Sequence, residues 1–148
     1  IEDLAKGWDA DELAARRRLV RFTHAQDGSV IRAAAAPLRR ADCVPGDTVV
    51  SCIYSADEDA CFVTSVDIIA LVEALIGMQL KLEPKNRIRR NLEGFSHTTV
   101  SKKQPSTEAF FRQIMEYGHP RPRRIQKDIK VFRWEELPQA LEKLVVRY

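Results

Sequence analysis

Apolar and polar residues alternate along Leu19-Val-Arg-Phe-Thr, the period of a half-buried strand. A polar stretch precedes it, which Asp9 can cap as a short helix through Arg18. Gln26-Asp27-Gly28 predicts a hairpin turn, because glycine supplies the positive φ such turns require, and Ser29 to Ala33 returns as the second strand. Residues 34–47, with Pro37, Pro45 and Gly46-Asp47, read as a connecting loop. A second hairpin follows. Thr48-Val-Val-Ser-Cys-Ile-Tyr and Cys61-Phe-Val-Thr are its strands, with Asp57-Glu58-Asp59 at the tip.

Ser65 then caps a helix whose apolar positions Val66, Ile69, Ala70, Val72 and Ile76 recur at helical spacing, with Asp67 in its first turn and Gly77 at its end. Pro84 suits a first helical position, so 84–92 is a short helix with Ile88 and Leu92 buried. Gly94 closes it. The polar stretch Ser96 to Gln104 separates it from a helix that starts at Pro105-Ser106-Thr107-Glu108 and carries the stripe Phe110, Phe111, Ile114 and Met115. Residues 118–124 cannot be regular, since Pro120 and Pro122 forbid a helix and discourage a ladder. Ile129 to Trp134 alternates as a strand, and Leu137, Ala140, Leu141, Leu144 and Val145 repeat at three and four. These elements predict an α+β domain of short antiparallel hairpins packed on four or five helices, the helix from Trp134 to Tyr148 closing the core. Residues 1–15 are expected to form an N-terminal polar segment with a short helix, and residues 16–148 a single globular domain.

Composition narrows the function. The chain has 148 residues, 45% hydrophobic and 30% charged, the size of one domain with one core. Its least charged run, Ile68 to Leu80, is interrupted by Glu73 and is too short to span a bilayer. The start Ile1-Glu2-Asp3-Leu4 lacks an initiator Met and reads as a piece of a longer protein, not a signal peptide. Three cysteines (Cys43, Cys52, Cys61) without a C-x-x-C argue for a reducing compartment, cytosol or nucleus.

The net charge of +3 conceals an asymmetry. Residues 1–84 hold 9 basic and 14 acidic side chains, residues 85–133 hold 13 and 4, and residues 134–148 hold 2 and 3. One cationic block suits one face meeting a polyanion. Twelve of its 13 cations fall in three clusters: Lys85, Arg87, Arg89 and Arg90; Lys102 and Lys103; and Arg121, Arg123, Arg124, Lys127, Lys130 and Arg133. Arg89 and Arg90 can reach phosphates or place a guanidinium fork on guanine O6 and N7. The prolines around Arg121 and Arg123 predict a stiff extended segment with outward side chains, suited to a groove. Asn91 and Ser101 could bond bases or serve helix ends and turns.

Other chemistry finds little support. His24, His97 and His119 are isolated, so metal-ligand spacing is absent and no cofactor is implied. Cys52 and Cys61 can face each other across the second hairpin, though strand cysteines are commonly small buried hydrophobes. Neither G-x-S-x-G nor a Gly-rich phosphate loop occurs among six glycines, and Asp57-Glu58-Asp59 sits on a solvated tip, which argues against an enzyme. Phe95, Tyr117, Phe132 and Trp134 could stack on bases, but Phe132 and Trp134 join an alternating strand to an apolar helix and fit the core better. Without the aromatic motif of RNA-binding sheets, duplex DNA leads RNA.

Several strings resemble the C-terminal domain of fungal Medusa-type developmental regulators. They are Val50-Ser-Cys-Ile-Tyr, Cys61-Phe-Val-Thr-Ser-Val-Asp-Ile, Lys85-Asn-Arg-Ile-Arg-Arg-Asn-Leu-Glu-Gly-Phe, Thr99-Val-Ser-Lys, Phe110-Phe-Arg-Gln-Ile-Met, and the stretch from Pro120 to Trp134. The order of features more distantly resembles the DNA-binding domain of the sterile-type regulators of fungal mating, departing from it in the Pro-rich loop and the N-terminal hairpin. These resemblances imply a DNA-binding module of a nuclear transcription regulator. Contact is then expected from Lys85, Arg87, Arg89, Arg90, Lys102, Lys103, Arg121, Arg123, Arg124, Lys127 and Lys130, with the arginines of 87–90 beside those of 121–124. The rival reading is a protein-interaction module that docks acidic partners on the same surface.

Overall fold

A computed structural model describes residues 1–123 and 128–146 of the chain. In chain order the regular elements are α1 (Ala10–Ala15), β1 (Arg17–Asp27), β2 (Val30–Leu38), β3 (Thr48–Ser55), β4 (Ala60–Thr64), α2 (Ser65–Ile76), α3 (Leu82–Leu92), β5 (His97–Val100), α4 (Glu108–Glu116), β6 (Ile129–Arg133) and α5 (Leu137–Val146). The strands form one antiparallel sheet in the order β2-β1-β3-β4-β6-β5. The fold is α+β.

Strand periodicity divides the core in two. Val20, Phe22, Val50, Cys52, Val63 and Phe132 point to one face, where α2, α3, α5 and Trp134 cover them. Ile53, Phe62, Ile129 and Val131 point to the other, under Phe110, Phe111 and Ile114 of α4. Apolar cover on both sides explains why Val49-Val-Ser-Cys-Ile reads as almost continuously hydrophobic: a strand buried on both faces has little reason to alternate. Trp134, 1% exposed, donates its indole N–H to the Ile1 carbonyl at 2.8 Å, tying the N-terminal residues to the face of α2 and α5.

The first hairpin closes through a two-residue turn, Asp27 pairing with Val30. Gly28 has φ +63° and Ser29 does not share the positive region, the arrangement of a type II′ turn with glycine first. At the start of α2 the capping side chain is Thr64, not Ser65: Thr64 Oγ1 accepts from the Asp67 amide at 3.2 Å. Gly77, at φ +76°, ends that helix as expected.

Four boundaries differ from the sequence expectation. α1 stops at Ala15, because Arg16 turns left-handed and Arg17 and Arg18 enter β1. The loop expected from residue 34 is strand as far as Leu38, its alanines held by pairing with β1 in spite of their low strand propensity. Pro37 is tolerated there because β2 is an edge strand. The polar stretch Ser96 to Gln104 contains β5, recruited by β6 through Thr98 opposite Val131 and Val100 opposite Ile129. α3 begins at Leu82, with Pro84 inside its first turn, where backbone N–H groups have no intrahelical acceptor to lose.

Candidate nucleic-acid interface

α3 has a buried edge and an exposed one. Ile88 and Leu92, four apart, are 0% and 1% exposed and anchor it against the core shared with α2 and α5. Helical geometry then turns Arg87, Arg89 and Arg90 to solvent. Arg89 Nη1 donates to Asn86 Oδ1 at 2.8 Å, and Arg90 Nη2 pairs with Glu83 Oε1 at 3.1 Å, both in the open. Such exposed contacts stabilise by under about 1 kcal/mol and can be exchanged for a phosphate or a base. Arg87 has no side-chain partner among the described residues.

Two cations from other elements join this patch. Lys130 of β6 donates to Glu93 Oε1 at 2.9 Å, just past the end of α3, and that bond holds the Glu93 carboxyl below its usual range. Lys143 of α5 lies over the Phe95 ring, 5.5 Å from its centroid. Lys143 is not expected from the sequence, since nothing local relates it to Arg90. Lys85, by contrast, turns inward: its Nζ lies 3.7 Å from Glu73 Oε1, both side chains less than one-fifth exposed, and it ties α3 to α2.

The segment 117–123 is on the other side of the sheet. Arg17 donates to the carbonyls of Gly118 (3.4 Å) and Pro120 (2.9 Å), Arg40 to that of His119 (3.1 Å) and Thr64 Oγ1 to that of Pro122 (2.7 Å). Tyr117 donates its hydroxyl to the Ala15 carbonyl at 2.7 Å and lies under the Arg17 guanidinium. Arg123 is half-buried and donates to the Met115 carbonyl at 2.7 Å, so it holds the segment down instead of pointing outward. Of the segment's two described arginines, Arg121 is the exposed one. Arg17 shares its sheet face with Ile53, beneath α4, whereas α3 packs on the face of Val50 and Phe132. The arginines of α3 and of the Pro-rich segment therefore point apart, contrary to the sequence expectation. Arg124 and Lys127 lie outside the described residues. Lys102 and Lys103 occupy an exposed turn after β5, without a side-chain partner among the described residues.

Phe132 and Trp134 are core residues, 3% and 1% exposed. Phe95 and Tyr117 are half-buried under Lys143 and Arg17. Cys43, Cys52 and Cys61 are free thiols. The Cys61 thiol beside it, together with burial, pushes the Cys52 thiol far above its ordinary range, which keeps it protonated.

A family model matches residues 1–145. The chain belongs to the DUF7082 family. That family is described as a domain of unknown function. No curated protein and no solved structure matches the chain. The DUF7082 match takes in the first fifteen residues, in keeping with how firmly they are attached: Arg18 spends all five guanidinium N–H donors on Glu12 and on the carbonyls of Leu4, Lys6 and Gly7. Among the described residues of this DUF7082 domain no three His, Cys, Asp or Glu side chains gather as a metal site, and no helix is long and apolar enough to cross a membrane.

Proposed function

We propose that this DUF7082 domain binds duplex DNA through the arginine face of α3, as part of a nuclear regulator of fungal development. The observation that carries the reading is the division of α3 into a buried edge, Ile88 and Leu92, and an exposed edge bearing Arg87, Arg89 and Arg90. A helix fits the major groove, about 12 Å wide, and arginine is the side chain that grips guanine by two bonds. Lys130 and Lys143 lie where they would meet the flanking phosphates, which position a protein without reading sequence. The nuclear and developmental parts rest on the resemblance to Medusa-type regulators. No catalytic residue and no cofactor enter this function.

A second reading is docking of an acidic protein segment on the same face. Glu83 and Glu93, interspersed among the cations, favour it, because they make the patch small and locally alternating. Anisotropy titrations with random duplexes, selected duplexes and acidic peptides across a salt series separate the two. DNA binding gives a log–log salt slope of about −0.9 for each phosphate neutralised, and a preferred sequence. No binding to any duplex at low salt overturns the first reading.

A further inference from the structure

β2 ends the sheet, and among the described residues no strand pairs with its outer side. It runs nine residues in unbroken register against β1, from Val30 opposite Asp27 to Leu38 opposite Leu19, with no bulge to twist it away. Natural edge strands are blunted by lysines, inward charges, bulges or a covering element. β2 has one charge, Arg32, and one proline near its end; Ala33, Ala34 and Ala36 between them are exposed.

The turn fixes which backbone groups face outward. In a two-residue hairpin the closing pair, Asp27 and Val30, exchanges both hydrogen bonds, and along an antiparallel ladder such pairs alternate with non-bonded ones. Ile31, Ala33, Ala35 and Pro37 therefore direct their backbone groups away from β1. Pro37 has no N–H to offer, so the usable outward donors are Ile31, Ala33 and Ala35. The same residues point their side chains toward the face of Phe22, beside a groove of about 700 Å³ lined by Ile31, Leu75, Ile76, Leu141 and Val145.

We propose that β2 is a homodimer edge, pairing antiparallel with β2 of a second copy about a two-fold axis at Ala33. In that register Ala33 faces its own equivalent, and Ile31 faces Ala35 of the second copy in both directions. Three bonded pairs form about six hydrogen bonds. Pro37 falls outside the paired stretch, so its missing donor leaves no gap. Arg32 falls opposite Ala34, which avoids placing like charges face to face. The three usable donors are centred on Ala33, so a second copy turned about that residue meets every one of them, as a two-fold interface requires. Ile31, Ala33 and Ala35 of the second copy then continue the apolar wall of the groove.

Sedimentation velocity of the 148-residue chain across a wide concentration range tests the pairing. The expected result is a concentration-dependent dimer. Ala33→Lys, which sets two ammonium groups against each other on the axis, should give a monomer that still melts cooperatively; mixing it with Ala33→Glu should restore the dimer. Amide exchange at Ile31, Ala33 and Ala35 of the unsubstituted chain gives a second readout that needs no variant: slow in the dimer, fast in a monomer. A chain monomeric at every concentration, a dimer that survives Ala33→Lys, or a mixture that stays monomeric overturns the proposal. None of these measurements involves DNA, so they succeed or fail independently of the DNA-binding reading.

Discussion

Arg18 and Glu12 meet through two parallel bonds, Nε to Oε2 at 2.7 Å and Nη2 to Oε1 at 2.9 Å, with side chains 8% and 16% exposed. Glu12 also closes the capping box of α1 by accepting from the Asp9 amide at 2.9 Å. One carboxylate thus neutralises a buried guanidinium and starts a helix. Glu12→Ala removes both, leaving a charge in the interior with only carbonyls around it. A loss of about 3 kcal/mol in urea denaturation is expected, the low end for breaking a buried pair. Amide exchange should rise across residues 2–15 before it rises elsewhere.

The arginines of α3 provide a test of function. Arg87→Ala, Arg89→Ala and Arg90→Ala should each weaken duplex affinity by about 1–3 kcal/mol where they touch bases, and leave the melting temperature almost unchanged. Arg121→Ala, on the opposite side of the sheet, should leave affinity as it was. Equal loss from Arg121 and Arg90 in anisotropy titrations would mean that α3 is not the contact surface.

Lys85 belongs to a different class from its neighbours. Lys85→Ala strands Glu73 in a mostly buried position, although Glu73 still accepts from the Leu80 amide at 2.8 Å. Its expected effect is a stability loss of about 1–2 kcal/mol, seen in thermal melts, with duplex affinity per folded molecule preserved.

Thr64 does two jobs with one hydroxyl: its oxygen accepts from the Asp67 amide as the cap of α2, and its proton goes to the Pro122 carbonyl. Thr64→Val keeps the shape and removes both bonds, one of them leaving a buried carbonyl unsatisfied. About 2 kcal/mol of stability should be lost. Thr64→Ser should recover most of it; a valine variant as stable as the parent refutes the dual role.

Asp67 gives the fold a pH dependence. It is 7% exposed, and burial pushes its carboxyl up to about 7, against the opposing pull of the Ser51 amide, 2.9 Å from Oδ2, and of Arg17. An unfolded aspartate loses its proton near pH 4. Between about pH 4 and 7 the native state therefore holds a proton that the unfolded state has released, so this group lowers stability as pH rises through that window. Asp67→Asn keeps an acceptor for Ser51 and should flatten the slope. Urea midpoints measured across the window check it; an unchanged slope in the variant rules Asp67 out as its source.

Elements with strong periodicity are legible in the residue order. The second hairpin, α2, α4, β6 and α5 follow from β-branched runs or from apolar residues at three and four, and Trp134 belongs to the core because it joins two such patterns. β5 is not legible there, since His97-Thr-Thr-Val carries only one buried apolar side chain and becomes a strand by pairing with β6. The same holds for β2, where alanines take their conformation from β1. Arg17 and Arg18 look like solvated cations in the sequence, and only the carbonyls and carboxylate gathered around them explain their burial.

The candidate surface divides along the same line. That residues 85–133 are cationic and that α3 is amphipathic follows from the amino-acid order, because both are properties of neighbours along the chain. Which cations share a face is a matter of how the chain folds. β6 inserts between β4 and β5, α3 settles on one side of that sheet, and the segment 117–123 is bonded down on the other. Charge close in sequence is thereby separated in space, while Lys143 is brought beside the end of α3 from about fifty residues away. Side-chain direction in a sheet alternates at every residue, so the path of the chain across the strands, not the order of its residues, assigns each charge to its surface.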